Sequence, residues 1–337
     1  MNFNRCIDDF APYKTLKTEG KICLNKNESP FDIPQYIKER VLEKIRIIPF
    51  NRYPDIDSTK LREKVSEKMS ISEDMIITAS GSDALISDIM NLFEGEYIVT
   101  FTPTFSMYSF YARRIGLKVV EIPLDENFDI PDFEIDIIKK AHSVFIPNPN
   151  NPTGNCLNQN RINEIIKTGV PVILDEAYWE FTGNTCLDYV NEYDNVIILR
   201  TFSKAMGLSG LRIGMGFACK NIMDKWMKIK SPYNLNVVSE YTAIEILDNE
   251  DIVNRNIAFI KREKNRIYEE FYDISYQSAA NFILMKADAF DFLFENGILV
   301  QRFERRLSDC IRMTVGNEKE NDCFIRRMKE FLKKKMS

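Results

Sequence analysis

Lys204 lies in the run Thr201-Phe202-Ser203-Lys204-Ala205-Met206-Gly207-Leu208-Ser209-Gly210-Leu211-Arg212-Ile213-Gly214. Two hydroxyls precede an amine, and a glycine-containing turn can return an arginine beside it. A lysine amine condenses with carbonyls, while hydroxyls and a guanidinium fork hold a phosphate. The run therefore suits an aldehyde cofactor that carries a phosphate. Two further runs lie upstream, Asn148-Pro149-Asn150-Asn151-Pro152-Thr153-Gly154 and Asp175-Glu176-Ala177-Tyr178. Taken singly, their parts are ordinary. Asn-Pro marks a turn, and an Asp behind a strand is commonly a helix N-cap.

Placement is more informative. From about residue 74 to 218 short β-rich runs alternate with helical patterns such as Asp83 to Phe93 and Arg161 to Lys167. Strands are predicted at Met75–Thr78, Tyr97–Phe101, Lys118–Ile122, Ser143–Ile146, Val172–Leu174, Val196–Leu199 and Gly214–Ala218. Several are continuous apolar runs, as strands covered on both faces are. The alternation predicts an α/β unit with a mainly parallel sheet. Asn151, Asp175 and the pair Ser203-Lys204 each follow such a strand. Ligand sites of open parallel sheets lie beyond the carboxyl ends of the strands, so three separate runs converge on one edge.

Beyond this, a charged helical region spans Asn221 to Tyr272 and should break at Pro232. Strands at Asn281–Met285, Ile298–Phe303 and Cys310–Val315, with a last amphipathic helix at Lys319–Lys335, predict a smaller α+β C-terminal domain. The expected division is an N-terminal arm over 1–30, a large domain over 31–235 and a small domain over 236–337.

The three runs, in this order, resemble the fold-type I pyridoxal 5'-phosphate (PLP) aminotransferases, from Tyr13 to Gly316. That resemblance implies the PLP fold type I, a homodimer, and an exchange between an amino donor and a 2-oxo acid. It implies that Lys204 carries the cofactor. Asp175 would keep the ring nitrogen protonated, and Tyr178 and Asn151 would bond its phenolic oxygen. The phosphate would lie against Gly81, Ser82 and Asp83, which open a predicted helix, with Thr201, Ser203 and Arg212 completing its contacts. Alone, Gly-Ser-Asp reads as a plain N-cap. Phe105 matches the aromatic that stacks on the ring, where tyrosine is more usual. Tyr53, in Asn51-Arg52-Tyr53-Pro54, matches a tyrosine given to the phosphate of the neighbouring subunit.

Among these enzymes the chain is most similar to the histidinol-phosphate branch. Arg312 matches the arginine that binds the substrate's carboxylate or equivalent end, Tyr13 a tyrosine that reaches the substrate phosphate, and Asn25 a pocket-lining residue. One departure stands out. The branch usually carries Val-Arg-Asp where this chain has Val300-Gln301-Arg302. Either an arginine is missing there, or Arg302, Arg305 or Arg306 replaces it. A threonine-phosphate decarboxylase and an aromatic transaminase remain alternatives. A non-catalytic regulator with a DNA-binding domain ranks below them, because no such domain fits before Asn25.

Composition sets further bounds. The formal charge of −5 gives no reason to expect nucleic-acid binding. No apolar run reaches the ~18 residues of a membrane span, and no signal core opens the chain. Seven scattered cysteines without CxxC spacing read as reduced cytoplasmic thiols. A single histidine, His142, excludes multi-histidine chemistry and a typical zinc site, and His142 is assigned no role. No metal is expected.

Overall fold

The computed structural model describes residues 7, 10–12 and 18–336. Strand β1 (Ile22–Cys23) is followed by seven strands that form one sheet: β2 (Ile76–Ala79), β3 (Tyr97–Thr102), β4 (Lys118–Pro123), β5 (Ser143–Pro147), β6 (Val172–Asp175), β7 (Val196–Thr201) and β8 (Gly214–Ala218). Their order is β2-β8-β7-β6-β5-β3-β4. All neighbouring pairs are parallel except those made by β8, which runs antiparallel to both β7 and β2.

The interior strands carry apolar residues on both faces. Val144, Ile146, Val172, Leu174, Val196 and Ile198 enter one core, while Phe145, Ile173, Ile197 and Leu199 enter another on the opposite face. Successive side chains of a strand alternate faces, so continuous Val/Ile/Leu runs require helices on both sides. The edge strand β4 instead exposes Lys118 and Glu121, charges that discourage further pairing.

Four more strands follow among the described residues: β9 (Phe282–Met285), β10 (Ile298–Leu299), β11 (Gln301–Arg302) and β12 (Ile311–Thr314). The single strand expected over 298–303 is two. Ile298 and Leu299 pair with β1 of the N-terminal segment, and Gln301 and Arg302 turn to pair with β12. β12 lies antiparallel between β11 and β9. Helices Glu250–Glu270 and Glu318–Met336 close this sheet through Ile267, Phe324 and Met328. The helical region breaks where Pro232 demands it, and again at Asp248 and Asn249, between the helices Lys220–Ile229, Val237–Leu247 and Glu250–Glu270.

Candidate active site

The carboxyl ends of β5, β6 and β7 open into one cleft of about 1600 Å³. Its walls include Ser82, Asp83, Phe105, Asn151, Asp175, Tyr178, Thr201, Ser203, Lys204, Arg212, Asn25 and Arg312. The chain thus brings together residues that sequence spacing placed on separate loops. Gly81 adjoins this wall through Arg212. Tyr13 lies outside the described residues. Tyr53 is not in its own chain's cleft: it is 80% exposed and stacks on Tyr233 at 4.5 Å.

Lys204 projects from the loop between β7 and β8, and its Nζ donates to the Lys26 carbonyl at 3.1 Å. Burial pulls its amine down to about 8, with Arg312 and Arg212 acting in the same direction and Glu28 opposing. Asp175 ends β6 and is buried. Burial pushes its carboxyl up to about 6, against a hydrogen bond from the Tyr108 hydroxyl at 2.7 Å and one from the Ala177 amide at 3.0 Å. A buried carboxylate in that state is a ready partner for a cation. Tyr108 is itself held by stacking on Phe145 at 4.9 Å and by edge contact with Phe105.

A second pair fixes the strand ends. Arg200 Nε and Nη2 donate to Glu176 Oε2 at 3.0 and 2.9 Å, and Arg200 lies 3.9 Å over Trp179. Both residues are almost completely buried. Glu176 follows Asp175 and Arg200 precedes Thr201, so one ion pair joins the two strand ends that carry the site.

One end of the cleft lies against the start of helix Ser82–Ile89, where two glycines permit close packing. A Cβ on Gly214 would lie 2.4 Å from the Gly81 carbonyl carbon and the Ser82 nitrogen, and one on Gly81 would lie 2.6 Å from Arg212 Nη2. Only glycine lets the guanidinium rest against the start of helix Ser82–Ile89. Arg212 also donates to Asp83 at 3.1 Å, and Thr201 Oγ1 donates to Ser203 Oγ at 3.0 Å. Helix-start amides, a guanidinium and two hydroxyls make an anion cradle.

At the opposite wall Arg312 is buried in β12 and donates to Asn151 Oδ1 and to the Asn25 carbonyl at 2.8 Å. Asn25 Oδ1 is buried without a hydrogen-bond partner among the described residues, a place for a ligand's donor. Gln301 sits directly opposite Arg312 in the β11–β12 register and so shares its face. Of the three arginines considered as replacements, Arg306 is already committed. It donates to the carbonyls of Leu124 and Asp125 and covers Phe128. Arg302 lies over Phe290, and Arg305 stands on the rim 3.7 Å from Glu121.

Sequence reasoning gave no role to Asn27 or Tyr108. Tyr108 carried a signal, since it sits three residues after Phe105 on a helical path. Asn27 carried none beyond its place between Lys26 and Glu28. His142 is buried beside Ser143, with Gly95 packed against its backbone, away from the cleft.

This fold and this cleft define an aminotransferase. The model of the class I and II aminotransferases matches residues 19–328, and the chain belongs to that family. It is 46% identical over 327 residues to the histidinol-phosphate aminotransferase of Pyrococcus furiosus, covering 97% of each. It superposes on the histidinol-phosphate aminotransferase of Clostridium acetobutylicum with a TM-score of 0.84 and 28% identity, over 92% of this chain and 98% of that one. The enzyme of Sinorhizobium meliloti, in complex with pyridoxal-5'-phosphate, matches with a TM-score of 0.85 at 22% identity, over 96% and 95% of the two chains. The fold is that of the fold-type I PLP enzymes, and the cofactor is PLP. The buried Asp175, the Lys204 amine and the glycine-lined anion cradle fit that cofactor's ring nitrogen, aldehyde and phosphate.

Proposed function

We propose that this chain is a cytoplasmic homodimeric enzyme that moves an amino group between histidinol phosphate and 2-oxoglutarate. The observation that carries the reading is the single cleft in which Lys204, Asp175 and Arg312 face one another from three distant stretches of chain. The names of its relatives support the substrate. The same reading divides the chain into an arm over 1–30, a large domain over 31–235 and a small domain over 236–337. When bound, PLP supplies a carbonyl that takes up the substrate's amino group and a protonated ring that draws electrons from the bond being broken.

The chain's own groups do the rest. Asp175 would hold the proton on the ring nitrogen. Asn151 and Tyr178 would bond the phenolic oxygen, and Phe105 would cover one face of the ring. Gly81, Ser82, Asp83, Thr201, Ser203 and Arg212 would anchor the phosphate, joined by Tyr53 from the second subunit. Lys204 Nζ would act as the base that takes up the substrate's α-proton and as the acid that returns it. An amine near 8 is partly neutral around neutrality and can act as base. Arg312 orients the substrate, with Asn25 lining the pocket beside it, and Tyr13 is the residue expected to reach the substrate phosphate. Arg302 or Arg305 on the rim meets the substrate phosphate, since Gln301 brings no charge.

The test follows the bound chromophore in single-turnover mixing with histidinol phosphate, histidinol, phenylalanine and threonine phosphate. Charge-assisted contacts contribute about 1.5–3 kcal/mol each. Histidinol phosphate should therefore convert the chromophore at least roughly tenfold more efficiently than histidinol. Equal efficiency with histidinol or phenylalanine overturns the substrate assignment, and release of carbon dioxide from threonine phosphate replaces it with a decarboxylase. Borohydride should fix the cofactor to the Lys204 peptide, and Lys204→Ala should abolish turnover.

A further inference from the structure

Three consecutive residues near the N-terminus touch three functional side chains. The Asn25 carbonyl accepts from Arg312, the Lys26 carbonyl accepts from Lys204, and Asn27 Nδ2 donates to the Tyr178 hydroxyl at 2.9 Å. Of these, Asn27 is the most firmly held. It is 1% exposed and sits in the left-handed region at φ 56°. Its amide N–H donates to Thr314 Oγ1 at 2.9 Å, and its carbonyl accepts from Asn281 Nδ2 at 3.1 Å. Thr314 Oγ1 donates in turn to Asn27 Oδ1 at 3.2 Å.

That last bond has a consequence. With Oδ1 occupied by the Thr314 hydroxyl, the amide presents Nδ2 to Tyr178. The tyrosine oxygen then accepts, and its own hydrogen must point elsewhere. The Tyr178 ring is also held by edge contact with Phe282 at 5.2 Å. The direction left open for the hydroxyl hydrogen is the cleft that Tyr178 lines.

We propose that Asn27 is a positioning residue that turns the Tyr178 hydroxyl hydrogen toward the cofactor's phenolic oxygen, so that seating of the N-terminal segment on β9 and β12 sets the donor at the reacting ring. The proposal rests on the reading of Tyr178 given above. A donor at that oxygen stabilises its negative charge and weakens its hold on the neighbouring proton. Removing the donor therefore raises the protonation midpoint of the bound chromophore.

The test uses three holoenzyme variants and their combination. Asn27→Gly tolerates the left-handed backbone and deletes the amide. Asn27→Asp keeps the shape but, when ionised, can only accept, which turns the Tyr178 hydrogen away. Tyr178→Phe removes the hydroxyl. The pH midpoint is read from absorbance, and the thermal midpoint of each apoenzyme reports the structural share. We expect Asn27→Gly and Tyr178→Phe each to raise the chromophore midpoint by about one pH unit, a tenfold change in proton affinity. Asn27→Asp should raise it at least as far. The Asn27→Gly/Tyr178→Phe double variant should match Tyr178→Phe alone.

A double variant whose midpoint is the sum of both shifts overturns the proposal, because Asn27 would then act without Tyr178. So does an Asn27→Gly midpoint equal to wild type while Tyr178→Phe moves. If Asn27→Gly does not fold, an unmoved midpoint in Asn27→Asp refutes it equally. If Tyr178→Phe itself leaves the midpoint in place, the assignment of Tyr178 fails first and takes this inference with it.

Discussion

Arg200→Met should weaken the fold more than any change on the rim of the cleft. Arg200 is 1% exposed and Glu176 2%, and the guanidinium makes two bonds to one carboxylate oxygen. It also donates to Thr185, which itself bonds Glu176, and the Cys186 amide completes the carboxylate's partners. Methionine replaces the length but leaves Glu176 buried without its cation. Breaking a buried pair from one side costs about 3–5 kcal/mol. At about 2.1 cal/mol/K per residue, a chain of 337 residues should lose roughly 4–7 °C of thermal midpoint. Denaturant unfolding of the apoenzyme at fixed protein concentration, alongside thermal scans, measures the effect. The double variant Glu176→Gln/Arg200→Met removes the stranded charge, so it should recover part of the loss. An Arg200→Met protein as stable as wild type, or a double variant that loses the sum of the two single changes, refutes this reasoning.

Asp175→Ala should lower kcat by roughly 100-fold or more, the scale of a lost preorganised electrostatic contact, and a near-wild-type rate would remove Asp175 from its role. Mixed dimers of Tyr53→Phe and Lys204→Ala subunits should regain activity, because one site then carries both defects and the other neither; no recovery in proven mixed dimers speaks against a shared site. Glu180 gives a pH prediction. It is half-buried with its Oε2 out of contact with solvent, and desolvation pushes its carboxyl up to about 8, so the cost of holding it ionised in the fold is absent below its unfolded value of 4.5 and grows until pH passes the folded value. Glu180→Gln should therefore stabilise the protein relative to wild type by about 2–4 kcal/mol at pH 9 and little at pH 5; an equal change at both values contradicts the assignment.

The strands of the central sheet could be read from the sequence because each is a short apolar run between turn residues. Val196–Leu199 and Gly214–Ala218 differ from the structure by two residues or none. Helices Gln35–Arg46 and Thr59–Met69 were not legible, since each buries only two apolar residues, Ile37 and Val41 or Leu61 and Val65. A two-residue stripe within a lysine- and glutamate-rich stretch gives little helical period. The residues of the cleft could be named because they lie in contiguous runs. Asn27 could not, because its partner Tyr178 is 151 positions away and no spacing rule links them. Arg306 fell into the opposite gap: its charge and position suggested a ligand, while two carbonyls of the loop after β4 already hold it.

The antiparallel turn of β8 has one more effect. Thr201 and Gly214 are register partners, and the Phe202 amide bonds the Ile213 carbonyl, so the intervening loop is closed at its base. Lys204 and Arg212 both stand on that closed loop. The spacing between the amine and the guanidinium is thereby set within one short span of chain, like two marks on a ruler. Arg312 belongs to a different sheet. The place of Arg312 relative to those two marks is therefore set by packing between sheets and not by the register of the loop itself.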